Sequence, residues 1–283
     1  MRGSGKLPVS VTRAAKAAGV AVLLGAGILM GLYAPPARAD FEAGWRAYQR
    51  GDFPGALEAW RPLADAGDAR AQFNIGVMYD EGRGVALDRA QAIQWWTKAA
   101  GHGDAQAQHN LALALIEGTG LSQDYDKAVF WLEKAAAQGL VRSQYSLGKM
   151  FSFGFGVPKD LNRAFRWVEK AAKKGFDKAQ YNLGKMYRDG SGVDDDPEAS
   201  TRWFLAAARQ GYAKAQNQMG IRLARGTGIA KDEVRALMWL TLAARQAHAA
   251  AIRNRKKLAR KLSPERRAEA ERLADGWAPK GGG

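Results

Sequence analysis

The chain has 283 residues, 47% hydrophobic and 25% charged, a globular balance that excludes gross disorder. It contains no cysteine, which removes disulfide frameworks, thiolate metal sites, iron–sulfur clusters and cysteine nucleophiles together. With 43 basic and 28 acidic residues the formal charge is +15, a sign of an anionic partner once the charge is located along the chain.

Residues 1–39 come first. Arg2, Lys6, Arg13 and Lys16 form a basic stretch, Ala17 to Ala34 is almost wholly apolar, and Ala37-Arg38-Ala39 presents a small-x-small pattern before Asp40. This reads as a Sec-type secretory signal peptide cleaved after Ala39. The competing reading is a retained membrane anchor, because an apolar run of about 18 residues lies at the lower edge of what crosses a bilayer. Gly19, Gly25, Gly27, Gly31 and then Pro35-Pro36 favour cleavage. The expected location is periplasmic or secreted, with no integral span left after cleavage. Export makes nucleic acid a poor partner.

The remainder is periodic. Gly67, Gly103, Gly139, Gly175 and Gly211 recur every 36 residues, as do Trp95, Trp131, Trp167, Trp203 and Trp239, and Gln72, Gln108, Gln144, Gln180 and Gln216. A fixed period in this range signals a stacked array whose units are too small to bury their own apolar faces. Within 68–103, Ala71, Ile75, Met78 and Tyr79 recur at helical spacing, Gly82-Arg83-Gly84-Val85 breaks the run, and Ala92, Trp95, Trp96, Ala99 and Ala100 resume it. Each unit is therefore helix, turn, helix. Asp52, Asp88, Asp124, Asp160, Asp196 and Asp232 share the lattice and are expected to cap the second helix of each pair; Pro197 suits the first position of one of them. Gly76, Gly148, Gly184 and Gly220, with Ala112 in one unit, lie mid-helix, where close helix–helix approach would offset the cost of glycine. The five tryptophans are expected in the core, and the glutamines on the backbone of a neighbouring turn.

These residues carry a resemblance. Ala179-Gln180-Tyr181-Asn182-Leu183-Gly184-Lys185-Met186-Tyr187, then Gly190-Ser191-Gly192-Val193, Ala206-Ala207-Ala208 and Gly211, are similar to the Sel-one-like repeat family, a tetratricopeptide relative with a longer inter-helix turn. The match spans five units, 68–247. It departs most in unit two, with Ala112 and Ala114-Leu115, and in unit five, with Arg222-Leu223. The resemblance implies an all-α, right-handed α-solenoid of stacked helix-turn-helix repeats. Ahead of it, 40–67 reads as a tetratricopeptide-like cap with a tighter turn, since Gly44 to Ala56 is shorter than Gly76 to Ala92. Behind it, 248–278 reads as basic capping helices, one opened by Ser263-Pro264 and running through Trp277, and 279–283 as a disordered tail.

Two candidate surfaces follow. In tetratricopeptide-like solenoids the first helix of each pair lines a concave face, so by the resemblance the lining runs from Phe73 in the first unit to Arg142, Tyr145, Lys149, Lys178, Tyr181, Lys185, Arg188 and Lys214. Cations beside rings suit an acidic peptide or an anionic sugar polymer, although Phe73, Tyr145 and Tyr181 share one column and could simply pack between units. The second is a C-terminal cluster, Arg253, Arg255, Lys256, Lys257, Arg260 and Lys261, which reads either as a solvated helix face or as a dock for an anionic envelope surface. No catalytic constellation is evident. His102, His109 and His248 have no carboxylate or cysteine neighbours at metal spacing, Asp189 with Asp194-Asp195-Asp196 has the glycine and distal glutamate of a calcium loop wrongly placed, and the Gly-x-Gly turns lack a phosphate-loop lysine. Neither a metal nor a cofactor is expected. The reading is an exported protein-interaction scaffold without catalysis, in a family whose exported members are adaptors, regulators of membrane sensors and assembly factors for exopolysaccharide or envelope machinery. Binding of an anionic polysaccharide or peptidoglycan, and a cell-wall-active enzyme, are the alternatives.

Overall fold

The computed structural model describes residues 40–279. The signal peptide expected at 1–39 and all but Pro279 of the tail expected at 279–283 lie outside the described residues. Fourteen α-helices and no strands occur among them. They are α1 (Phe41–Gln49), α2 (Phe53–Asp65), α3 (Ala69–Glu81), α4 (Arg89–Gly101), α5 (Ala105–Glu117), α6 (Tyr125–Ala137) and α7 (Val141–Phe153), followed by α8 (Leu161–Lys173), α9 (Asp177–Asp189), α10 (Pro197–Arg209), α11 (Ala213–Arg225), α12 (Glu233–Arg245), α13 (Ala249–Ala259) and α14 (Pro264–Asp275). The chain divides into two compact units between Asp104 and Ala105, the first holding α1–α4 and the second α5–α14. Within each unit the helices stack in consecutive pairs, the all-α architecture of an α-solenoid.

The lattice residues set the helix ends. All six aspartates cap as expected: the side chains of Asp52, Asp88, Asp124, Asp160, Asp196 and Asp232 accept from first-turn amides at 2.9–3.0 Å, using donors that a helix start leaves unpaired. The amides of the last five of these donate to the carbonyls of Tyr79, Leu115, Phe151, Tyr187 and Leu223, closing the same turn in every repeat at 2.9–3.0 Å. At the other end of that turn, Gly82, Gly154, Gly190 and Gly226 terminate their helices in the left-handed region, φ from +63° to +76°, where a Cβ is unfavourable. Between α1 and α2 the connection is only Arg50–Asp52. α14 stops at Asp275, before Gly276, and Trp277 leaves the helix to pack edge-on against Trp239 at 6.0 Å; α12 contacts both α13 and α14, which cover the end of the stack.

Packing follows the mid-helix glycines. A Cβ on Gly76 would lie 2.5 Å from Trp96, and one on Gly184 2.9 Å from Phe204, so each glycine lets the facing helix approach. The residues it meets share one position of the 36-residue lattice, Trp60 and Trp96 in the first unit and Leu132, Val168, Phe204 and Leu240 in the second, all buried. Leu132, the member opposite Ala112, is fully enclosed as well. This corrects the expectation that all five of the 95-to-239 tryptophans lie in the core. Trp95 and Trp239 are buried, but Trp131, Trp167 and Trp203 are only half-buried. Helix rotation places the next residue at the interface and leaves these indoles at its edge. Lysine ammonium groups from the following turn lie over three of the rings, Lys98 at 4.2 Å from Trp95, Lys134 at 5.2 Å from Trp131 and Lys170 at 4.2 Å from Trp167.

Within each unit the glutamine column joins a helix pair to the one before it. Gln72, Gln144, Gln180 and Gln216 donate to the carbonyls of Ala64, Ala136, Ala172 and Ala208, in the last turn of the preceding helix. Their own side-chain oxygens are reached by a residue 30 positions later: the His102 ring pairs with Gln72 at 2.9 Å, and Gln210 and Gln246 donate to Gln180 and Gln216 at 2.7 and 2.9 Å. Lys174 occupies this position in one repeat, and there the Gln144 oxygen is buried without a partner.

Candidate functional site

The expected groove residues of the second unit lie on the odd-numbered helices α7, α9 and α11. Arg142, Lys149, Lys178, Arg188 and Lys214 are exposed and Lys185 is half-buried. Phe73, in the first unit, is only 2% exposed; it packs into the core and offers a partner no surface, contrary to its placement among groove residues. The sequence alone cannot rotate α3 finely enough to separate these outcomes.

The aromatics have a structural task on this face. The Tyr145 hydroxyl is bonded by the Asn182 amide at 2.5 Å, and its ring meets Phe176 edge-on at 5.3 Å. Tyr181 meets Tyr212 in the same way at 5.3 Å and hydrogen-bonds the Gln218 side chain. One repeat further on, Asn254 donates to Asn217 at 2.9 Å. The three links share one spacing, so this ladder ties α7 to α9, α9 to α11 and α11 to α13. Burial raises the phenols of Tyr145 and Tyr181 above the ordinary tyrosine range and pushes Tyr212 up to about 12, with the neighbouring phenols and Asp177 adding to the effect. These hydroxyls stay neutral hydrogen-bonding groups at physiological pH.

The charges divide into bound and unbound. Arg188 forms a two-point pair with Asp189 at 2.7 and 2.9 Å, which raises the guanidinium and lowers the carboxyl from their usual ranges. Its charge is therefore locally balanced. Arg255, from the C-terminal cluster, is likewise held by Glu271 at 2.7 Å and by Thr241 at 3.1 Å. By contrast, Lys149, Lys178, Lys185 and Lys214 make no ion pair among the described residues, nor do Arg253, Lys256, Lys257, Arg260 and Lys261, all exposed. Ion pairing within the described residues therefore gives these lysines no structural task.

Two open clefts indent the second unit. One, of about 320 Å³, lies between α7 and α9 and is lined by Tyr145, Lys149, Phe153, Asn182 and Lys185 among others. A second, of about 830 Å³, lies at the N-terminal ends of α9, α11 and α13 and includes Asp177, Tyr212, Lys214, His248 and Arg253. The geometry brings Lys149 and Lys185 together in the first and Lys214 and Arg253 together in the second. Phe153, Phe155 and Leu161, all exposed large apolar side chains, were absent from the sequence-derived set. The signal for the two phenylalanines was present: in the other repeats, 153 is matched by Glu81, Glu117, Asp189 and Arg225, and 155 by Arg83, Thr119, Ser191 and Thr227.

Two buried polar groups elsewhere in the second unit are held by their neighbours. His109 bonds Ser143 at 2.9 Å and is pushed down to about 4 by burial and by Arg142. Arg222 is enclosed among the hydroxyls of Ser200 and Thr201 and the carbonyls of Pro197 and Thr227, at 2.6–3.2 Å, and burial lowers it. Among the described residues no three His, Asp or Glu side chains converge as a metal site, and no helix is long and apolar enough to cross a membrane.

Comparison with known proteins places this geometry. A family model described as Sel1 repeat matches five consecutive segments, 69–104, 105–140, 141–176, 177–212 and 213–248, one residue later than the frame set from the sequence. The crystal structure of a Sel1 repeat protein from Oxalobacter formigenes is 30% identical, covers 83% of this chain and 96% of its own, and superposes with a TM-score of 0.73. That of c5321, a protective antigen present in uropathogenic Escherichia coli strains and displaying an SLR fold, is 27% identical over 83% of this chain and 62% of its own, with a TM-score of 0.55. No curated protein matches the chain.

Proposed function

The chain belongs to the Sel1 repeat family, whose members are in general non-catalytic protein–protein interaction scaffolds, and from that premise we propose that it is an exported scaffold capturing a segment of a partner protein along α7, α9 and α11. The observation that carries this is the row of unpaired Lys149, Lys178, Lys185 and Lys214 on helices that the tyrosine–asparagine ladder holds in fixed register. A rigid surface with fixed charges loses little conformational entropy on binding, and its potential steers an acidic partner to the correct face. The first 39 residues would deliver it to the envelope compartment, where a regulator of a membrane sensor or of envelope polymer assembly would meet such a partner.

Crosslinking in intact envelopes, followed by capture of the full chain and identification of the bound species, tests this reading. A single protein should be enriched over a control, and Lys149→Glu with Lys185→Glu should abolish its capture without moving the thermal midpoint. Capture that survives both reversals would move the contact off this face. Recovery of an anionic glycan without protein would replace the reading with polysaccharide binding.

A further inference from the structure

Repeat three departs from the lattice at positions where the fold asks for nothing apolar. Phe153 is 61% exposed and Phe155 44%, yet the other four repeats carry charged or hydroxyl-bearing side chains at both sites and form the same turn. The two rings stack at 5.6 Å, and Phe155 stacks in turn on Tyr125 at 5.0 Å. Phe153 also enters the 320 Å³ cleft, where Leu161 stands with it beside Lys149 and Lys185. Exposed rings grouped at one point of an otherwise polar turn mark a contact surface, and an apolar anchor ringed by charge is how a short segment is held in one register.

We propose that the cleft between α7 and α9 seats an acidic peptide segment of a partner protein, its aromatic or leucine side chain against Phe153 and Leu161, with Phe155 stacked on Phe153, and its carboxylates on Lys149 and Lys185. This rests on the scaffold reading above and names the chemistry of the partner at that face. The cleft's other charge, Asp189, is held at two points by Arg188 and also feels Lys185; with Arg188 offsetting it, the two lysines leave the cleft net positive toward a ligand. A recess lined also by Ser152 and Asn182 suits a narrow polar chain.

Selection of a random displayed peptide library on the full chain is the experiment. The enriched peptides should share acidic residues flanking an aromatic or leucine, and a synthetic copy of the strongest serves as the probe in fluorescence anisotropy. Phe153→Arg with Phe155→Thr restores residues found in repeat five, so the turn is retained, a point checked by the thermal midpoint. The arginine adds a favourable charge, so a fall in affinity of about tenfold or more would report the lost rings. Lys149→Glu with Lys185→Glu should weaken the probe to the same degree and flatten its dependence on salt. Binding that ignores the phenylalanines but is lost on Lys178→Glu with Lys214→Glu overturns this inference and leaves the scaffold reading standing. Failure to enrich any peptide, in a protein that still captures its partner from envelopes, also overturns this inference alone; failure of both overturns both. Ring-dependent pelleting with anionic phosphatidylglycerol vesicles, or ring-dependent self-association in sedimentation velocity, would assign the patch to a membrane or to a second copy instead.

Discussion

Lys174→Gln should stabilise the protein although it removes a charge and adds no apolar contact. In two of the other repeats a glutamine at this lattice position bridges two acceptors: Gln210 reaches the Gly175 carbonyl at 2.8 Å and Gln180 at 2.7 Å, and Gln246 reaches the Gly211 carbonyl at 3.0 Å and Gln216 at 2.9 Å. Lys174 makes only the first kind of bond, to the Gly139 carbonyl at 3.0 Å, and the buried Gln144 oxygen has no partner. Leaving a buried acceptor unsatisfied costs about 1–3 kcal/mol. Against that recovery stands the lysine's interaction with the C-terminus of α8, where it is the capping residue, worth about 0.3–1 kcal/mol at an exposed site. The net gain should be about 0.5–1 kcal/mol, read as a shift of the urea midpoint at unchanged slope. A double-mutant cycle with Gln144→Leu isolates the cause: in the leucine background only the lost capping interaction remains, a cost of about 0.3–1 kcal/mol, giving a coupling of about 1–2 kcal/mol. A coupling within the usual additivity error of about 0.3 kcal/mol would refute the argument, because the oxygen of Gln144 would then have no part in the effect.

Three further outcomes are expected. His109 is neutral in the fold and protonates only near pH 4, whereas in the unfolded chain it takes its proton near 6.5. The unfolded state therefore binds more protons between these values, and stability should fall as pH drops from 6.5 to 4, by about 3 kcal/mol at about 1.4 kcal/mol per unit, then level off for this group; chemical denaturation of the native chain and His109→Gln across this range should converge toward acid, and parallel curves would refute the assignment. Arg222→Met places the residue found at Met78, Met150 and Met186 in the same column, and a buried cation replaced by an apolar group of similar volume should leave stability within about 1 kcal/mol, whereas Arg222→Ala should cost about 2–4 kcal/mol through the cavity. A large loss in the methionine variant would show that the guanidinium itself holds the turn to Pro197 and Thr227. Ala247 occupies the left-handed region, φ +59°, at the lattice position that is glycine in every earlier repeat, so Ala247→Gly should raise stability by about 0.5–1 kcal/mol in thermal unfolding.

Much of the fold was legible because its signals recur. An aspartate that appears once before a helix is a suggestion; at Asp52, Asp88, Asp124, Asp160, Asp196 and Asp232 it fixes the phase of the whole lattice. The mid-helix glycines were read correctly as points of close approach, but the residues they face were missed by one position, because Trp131, Trp167 and Trp203 are conspicuous while Leu132, Val168 and Phe204 are not. Periodicity identifies a column and leaves its rotation open to about one residue. The same limit explains Phe73, placed in a groove and found in the core. Sequence also could not tell which cations are spoken for: Arg188 and Lys185 look alike in the string, and only the fold shows that the first is tied to Asp189. Phe153 and Phe155 were overlooked because attention to what repeats agree on passes over the one repeat that differs.

Hydrogen exchange on the full chain, with and without the captured partner, tests the central claim most directly. Binding along the lysine row should slow amide exchange in α7, α9 and α11 and their following turns while leaving α8, α10 and α12 at their free rates. Protection concentrated on the even helices, or spread evenly through the second unit, would contradict it.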